Sequence, residues 1–437
     1  SMPHHDTISN NEFKDFFAWN QFSFGYTGVV PYGLFLGVGA YSWVIDGNSF
    51  YDTGFTLTTR NCSPRAIATS PTIGGAAHRI TNNYIGGSAP MCGGAPMTIT
   101  GTGTGEIQFV GIVTGANNDT MLVENNTIAN INLVNCKHSA TTLPYSFIGI
   151  YVYDGNTKLI NNTIGSINSA GNINVSTTVG GDTVFGIYNV CDDKIIMDNN
   201  KIGGITTTNS SASIGTSIFG IYNNNAIAKV KIINNKIGSP TILNSIISTG
   251  NSTNSFSVVG ISSLKGDSTL IDHSDIQHLQ NDCVTTSQNG TYGIEANGAG
   301  QYTISHNNIA YISSLSRSNG TSKSAVAGIV IDPTMGLKIS NIKLNTISYL
   351  SCTNSNADDN VVNGIYAAVG GPIVQNFIHS LSTASTGPQT QVNGICGSSP
   401  QLNNNIISLG SSSKRVYGIN SIVGYFNHNF NNTVYIT

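Results

Sequence analysis

Three aspartates, Asp154, Asp192 and Asp193, lie close in sequence to three tyrosines, Tyr151, Tyr188 and Tyr222, and no other acidic cluster in the chain is as dense. Two of the segments run in parallel: Gly149-Ile150-Tyr151 leads to Asp154, and Gly186-Ile187-Tyr188 leads to Asp192-Asp193. Paired carboxylates can share a proton for glycoside hydrolysis, or hold Ca²⁺ through oxygen ligands. Stacked tyrosines would add a flat apolar strip on which a pyranose ring can rest. A blander reading competes, because Asp154-Gly155-Asn156 is also ordinary turn chemistry. The nearest bases, Lys158 and Lys194, read most simply as solvent-facing strand residues.

Positioning these groups falls to a repeated element. The pair Gly-Ile recurs at Gly111, Gly149, Gly186, Gly220, Gly260, Gly293, Gly328, Gly364, Gly394 and Gly418. Strand side chains alternate faces, so an inward Ile sends the next residue outward. On three consecutive repeats that residue is Tyr151, Tyr188 and Tyr222, which predicts rings about 4.8 Å apart, the strand spacing.

A second marker is the frame apolar-x-x-Asn-x-Ile, clearest at Met197-Asp198-Asn199-Asn200-Lys201-Ile202. Its Asn column reads Asn11, Asn48, Asn83, Asn126, Asn162, Asn200, Asn235, Ser274, Asn307, Asn345, Asn376 and Asn404, at spacings of 28 to 43 residues. A fixed frame with elastic spacers marks a solenoid, in which each unit buries its apolar face only by stacking on its neighbours. An Asn at a bend can donate to the Asn on one side and accept from the Asn on the other, forming a ladder broken at Ser274. Each coil is expected to hold a Gly-Ile strand, a turn, a second strand, the Asn bend and a brief third strand. A long Ser/Thr/Asn spacer such as Thr206 to Ser217 or Thr241 to Ser257 would close it.

The frame resembles the repeat of the right-handed parallel β-helix, or pectin-lyase-like, superfamily, which includes pectate lyases, polygalacturonases and large surface proteins. The resemblance implies an all-β right-handed solenoid of about 12–13 coils and, at roughly 4.8 Å per coil, a rod on the order of 55–65 Å long. It carries over no catalytic residue. Of the polygalacturonase-like segments only an Asp-Asp is present, at Asp192-Asp193, and the arginines a lyase would need stand away from the acidic row.

Residues 1–7 read as a lead-in, with Ser1-Met2 a cloning remnant, and 8–437 as one parallel β-helix domain. Within it, 8–110 form aromatic-rich N-terminal coils and 111–437 the regular coils. Both ends read as cuts from a longer multidomain chain. Rings crowded between Phe13 and Phe55, with both tryptophans, are expected to fill the first coils or cover an end.

Charged residues make up 9% of the chain, against roughly 25% in ordinary soluble proteins. That balance suits a secreted or cell-surface protein. A net charge of −3 gives no basic footprint for nucleic acid, and no apolar run reaches the ~18 residues of a membrane span. The seven cysteines include no Cys-x-x-Cys pair, so no zinc site is expected, while a disulfide such as Cys62 with Cys92 stays open. His273 and His306, one place before the Asn column, read as ladder-edge residues and not ligands.

The expected function is a stiff extracellular scaffold that binds a polysaccharide or surface glycan through Tyr151, Tyr188 and Tyr222. No cofactor is expected unless Ca²⁺ binds Asp154, Asp192 and Asp193. Two alternatives stay open: a polysaccharide lyase or glycoside hydrolase using those aspartates on the outer face of the Gly-Ile strands, and a purely structural repeat spacer.

Overall fold

The structure is a computed structural model. It describes residues 6–16, 30–37, 40, 42–57, 62–70, 77–101, 107–136, 145–178, 182–210, 215–224, 229–250, 256–264, 267–283, 290–298, 300–315, 324–331, 340–355, 359–368, 371–399, 401–410, 415–421 and 428–437. Among these there is no helix, and every strand pairs in parallel with an equivalent strand of a neighbouring coil. One continuous sheet holds the Gly-Ile strands and the strands that lead into the Asn bend, and a second holds the strands that follow it. The protein is therefore an all-β parallel solenoid.

Register is kept column by column. Ile150 pairs with Ile187 and that with Ile221, while Tyr151 pairs with Tyr188 and that with Tyr222. The coil has one strand more than expected, since Ile205–Asn209 pairs with Ile173–Thr177 and Ile246–Gly250 where a spacer was anticipated. Alternation explains the strand: Ile205, Thr207 and Asn209 are buried while Thr206 and Thr208 are not. Thr207 can face inward because its hydroxyl bonds Ser248 Oγ at 3.0 Å.

The Asn ladder is present and buried. Asn200 Nδ2 donates to Asn235 Oδ1 and to the Leu159 carbonyl, and the backbone N–H of Asn200 donates to the same Asn235 oxygen at 3.0 Å. The pattern recurs from Asn11 to Asn235 and from Asn307 onward. Leaving such a buried amide unpaired costs about 1–3 kcal/mol, so each rung fixes the register of the next. At Ser274 the ladder is interrupted: the hydroxyl turns back toward the Asp272 carbonyl at 3.4 Å, while its backbone N–H still donates to Asn307 Oδ1.

One expected rung is displaced. Asn376 Nδ2 donates to Asn405 and not to Asn404, and the ladder continues to Asn432. Asn404 occupies the preceding position, with φ 55°. That position is left-handed on every rung: Asn10, Gly47, Asn82, Asn125, Asn161, Asn199, Asn234, His273, His306, Leu344, Gln375, Asn404 and Asn431. Asn, Gly and His tolerate this backbone better than most residues, which accounts for the frequent Asn-Asn doublets.

The two sequence markers meet inside the coil. A Cβ on Gly186 would stand 2.5 Å from the Gly220 carbonyl and 2.7 Å from Cγ2 of Ile202, the isoleucine two places after the ladder Asn. Gly149 faces Ile164, Gly220 faces Ile237 and Gly364 faces Ile378 in the same way. Glycine is needed there because the Ile side chain occupies the space a Cβ would take.

The N-terminal rings partly fill the core, with Phe13 stacked on Phe50 at 4.5 Å and Phe16 edge-on to Phe50 at 5.9 Å. Phe17 and Trp19 lie outside the described residues. All seven cysteines are free, and all but Cys92 are buried, so Cys62 and Cys92 form no disulfide.

Candidate functional site

The second sheet changes character partway along the rod. At Asn235 the corner after the bend is opened by a loop, residues 239–245, between Lys236–Ile237 and Ile246–Gly250. From Ser274 onward no such loop intervenes, and one strand crosses the corner on each coil: Asp275–Asn281, Asn308–Ser314, Thr346–Cys352 and Phe377–Thr383. A single left-handed residue turns each strand, namely His278 at φ 53°, Tyr311 at 55°, Tyr349 at 52° and Ser380 at 57°. The kink shifts the alternation by one place, so Ile309 and Ile312 both point into the core while Tyr311 points out.

Earlier coils put Asn130 and Gly204 at the same corner position, residues suited to that backbone. A tyrosine held there costs on the order of 1–2 kcal/mol. Strain of this kind is found more often at functional sites, which makes this corner a candidate site.

The rings form a stack. His278 lies parallel to Tyr311 with centroids 4.6 Å apart, and Tyr311 lies parallel to Tyr349 at 4.7 Å. Tyr349 meets His379 edge-on at 5.6 Å, and His379 is 4.7 Å from Phe377. Tyr311 is 43% exposed, Tyr349 48% and Phe377 41%. His278 is buried, and its Nδ1, which must carry the proton, donates to the Ser239 carbonyl at 2.6 Å, tying the stack to the 239–245 loop. Burial pushes His379 below the ordinary histidine value, which favours the neutral ring.

Beside the stack runs a cleft of about 330 Å³, walled on one side by Leu243 and Asn244 of that loop and floored by Gln280, Ser313 and Ser351. It shares Tyr349, Ser380 and Ser382 with a second cleft of about 530 Å³ that continues past Phe377 and His379 to Ser408 and Thr437. The floor is a column of register neighbours, Gln280, Ser313, Ser351 and Ser382. Hydroxyl and amide groups therefore line one side of a groove along the rod and aromatic rings the other. Among the described lining residues there is no Asp or Glu side chain.

Tyr151, Tyr188 and Tyr222 lie on the first sheet as one adjacent column. Tyr151 stacks on Tyr188 at 5.3 Å and Tyr222 meets Tyr188 at 5.4 Å, inclined by 62°. They are largely covered: Tyr188 is 4% exposed and stacks on Phe185 at 4.5 Å, and Tyr151 and Tyr222 are half-buried against the same cluster. Burial pushes the Tyr222 hydroxyl up to about 12 and raises that of Tyr151 as well.

Asp154 and Asp193 approach each other around Cys191, with carboxylate oxygens and Sγ all within 4.8 Å. Asp192 is exposed on the same turn. The thiol bridges two backbone groups, donating to the Gly155 carbonyl at 3.3 Å and accepting the Asp193 N–H at 3.3 Å, and its sulfur lies 3.8 Å from Asp193 Oδ2. Burial pushes it up to about 12, so it is a neutral thiol. Two carboxylates around a thiol are a poor match for the six to eight oxygens Ca²⁺ takes. Asp119, in the equivalent turn of the preceding coil, has its side chain outside the described set.

Sequence reasoning passed over His278, Tyr311 and Tyr349. A signal existed, in the spacing shared by Asn307 with Tyr311 and Asn345 with Tyr349. No protein-family model, curated protein or solved structure matches this chain.

Proposed function

We propose that the protein is a secreted or cell-surface scaffold, akin to the pectin-lyase-like β-helices, that binds a polysaccharide chain lengthwise in the groove of the second sheet. The carrying observation is the parallel, exposed stack of Tyr311 and Tyr349 held in a left-handed backbone. Aromatic faces suit the apolar faces of pyranose rings, and the Gln280, Ser313, Ser351 and Ser382 column supplies hydrogen-bonding partners for hydroxyls. With histidine and tyrosine as the titratable side chains among the described lining residues, the groove favours a neutral glycan. The half-buried Tyr151 and Tyr222 are a secondary contact face in this reading.

The test is a glycan array followed by calorimetry, comparing the parent with the double variant Tyr311→Asn and Tyr349→Asn. Asparagine already fills this corner at Asn130, so the variant should fold with equal or greater stability. Each exposed ring contributes on the order of 1 kcal/mol, so affinity should fall by roughly ten-fold or more. Undiminished binding would remove the groove from consideration. Binding by neither protein would favour the spacer, and polysaccharide cleavage that depends on Asp154, Asp192 or Asp193 would favour the enzyme.

A further inference from the structure

On the opposite side of the Asn bend from the aromatic stack, two coils place nitrogen and oxygen donors together. His273 and His306 occupy the left-handed position before the ladder on successive rungs, at φ 49° and 55°. Their rings stack at 4.5 Å, inclined by 13°. Both Nδ1 atoms aim at one carboxylate: His273 is 2.7 Å from Asp272 Oδ2, and His306 is 3.0 Å from Asp272 Oδ1. Ser305 Oγ donates to that second oxygen at 2.7 Å, fixing the carboxylate's orientation. All three ligand atoms lie within 4.8 Å of one another, and both rings are exposed.

We propose that Asp272, His273 and His306 form a surface site for a divalent late first-row ion, Zn²⁺, Ni²⁺ or Cu²⁺, which clips two neighbouring coils together. Two imidazole nitrogens and a carboxylate oxygen are the donor types these ions select. A tetrahedral centre with metal bonds of about 2.0–2.2 Å sets its ligand atoms about 3.3–3.6 Å apart, so the 2.7 and 3.0 Å contacts would open by less than about 1 Å, inside the 4.8 Å that the three ligand atoms already span. A metal held by both Nδ1 atoms would displace their protons, each ring then carrying its one proton on Nε2, and would leave its outward coordination to water. The donors come from adjacent rungs, just where Ser274 interrupts the side-chain ladder, so the ion would add a cross-coil link beside the gap.

Each rung offers a conservative control, because Asn fills this left-handed position at Asn82, Asn125, Asn161, Asn199 and Asn234. His273→Asn, His306→Asn and the double variant should therefore fold like the parent, which circular dichroism checks. Calorimetry with ZnCl₂ or NiCl₂ should show one saturable site in the parent, at least a ten-fold loss of affinity in each single variant and no such site in the double. The ion should also raise the parent's thermal midpoint and leave the double variant's unchanged. His4 and His5 remain in every variant. Binding that survives the double substitution, or no binding by the parent, overturns the site.

Discussion

His78 shows how one buried side chain makes the N-terminal coils sensitive to acid. It is fully buried, its Nδ1 accepts the Trp43 N–H at 3.2 Å, and its Nε2 has no partner among the described residues. Burial pushes its pKa down from 6.5 to about 4. The unfolded chain therefore binds a proton between these values while the folded chain does not, so the stability contribution is complete above pH 6.5 and declines as pH falls toward 4. Urea midpoints at pH 7 and pH 4.5 should differ more for the parent than for His78→Gln, whose amide cannot titrate. Equal pH dependence in the two proteins would show that other groups set the acid limit.

At the scale of the element, the strand and the bend were legible to different depths. The Gly-Ile strand and the Asn column could be read because each rests on a constraint that recurs at a fixed offset: a missing Cβ opposite an isoleucine, and an amide that must meet another amide. The slip at Asn404 has a local cause, since Asn403, Asn404 and Asn405 suit the strand, the left-handed turn and the ladder in turn. Tyr311 and Tyr349 were hidden for another reason. A left-handed residue inside a strand breaks the two-residue alternation, so counting faces from Ile309 places Tyr311 inside. Alternation also gave Tyr188 its outward direction correctly, yet facing away from the core did not mean facing water, because Phe185 and Tyr151 cover it. The Gly-Ile pairing makes its own prediction. Gly186→Ala puts a methyl into space held by Ile202 and the Gly220 carbonyl, and should destabilise the protein by about 1–3 kcal/mol in denaturant titration. Adding Ile202→Val, which removes Cδ1 at 3.1 Å and keeps Cγ2 at 2.7 Å, should recover part of that loss; no recovery would mean that Cγ2 and the backbone carbonyl set the limit.

Across the whole molecule, the first sheet and the second divide the work. The first carries Gly-Ile strands in unbroken register and a covered aromatic cluster. The second carries the corner where loops come and go, and there the exposed stack and the groove are found. That corner can gain a loop or replace it with one left-handed residue without disturbing the ladder. The division separates what holds the rod from what it can display.

Rung-by-rung equivalence also means that the rod's length is quantised. Removing residues 163–200 would bring Asn162 into the place of Asn200, still able to donate to Asn235, and would set Gly149 against Ile202 in place of Ile164. The shortened protein should unfold cooperatively, lose ~4.8 Å of length by small-angle scattering and keep its groove, which begins beyond the cut. Removing only residues 163–180 should misfold, because it would take away Ile164 and the strand Ile173–Thr177 and leave Gly149 without its partner. If both deletions behave alike, the rungs are not interchangeable units. If only the whole-coil cut is tolerated, this chain is a ruler that can be shortened or extended one graduation at a time.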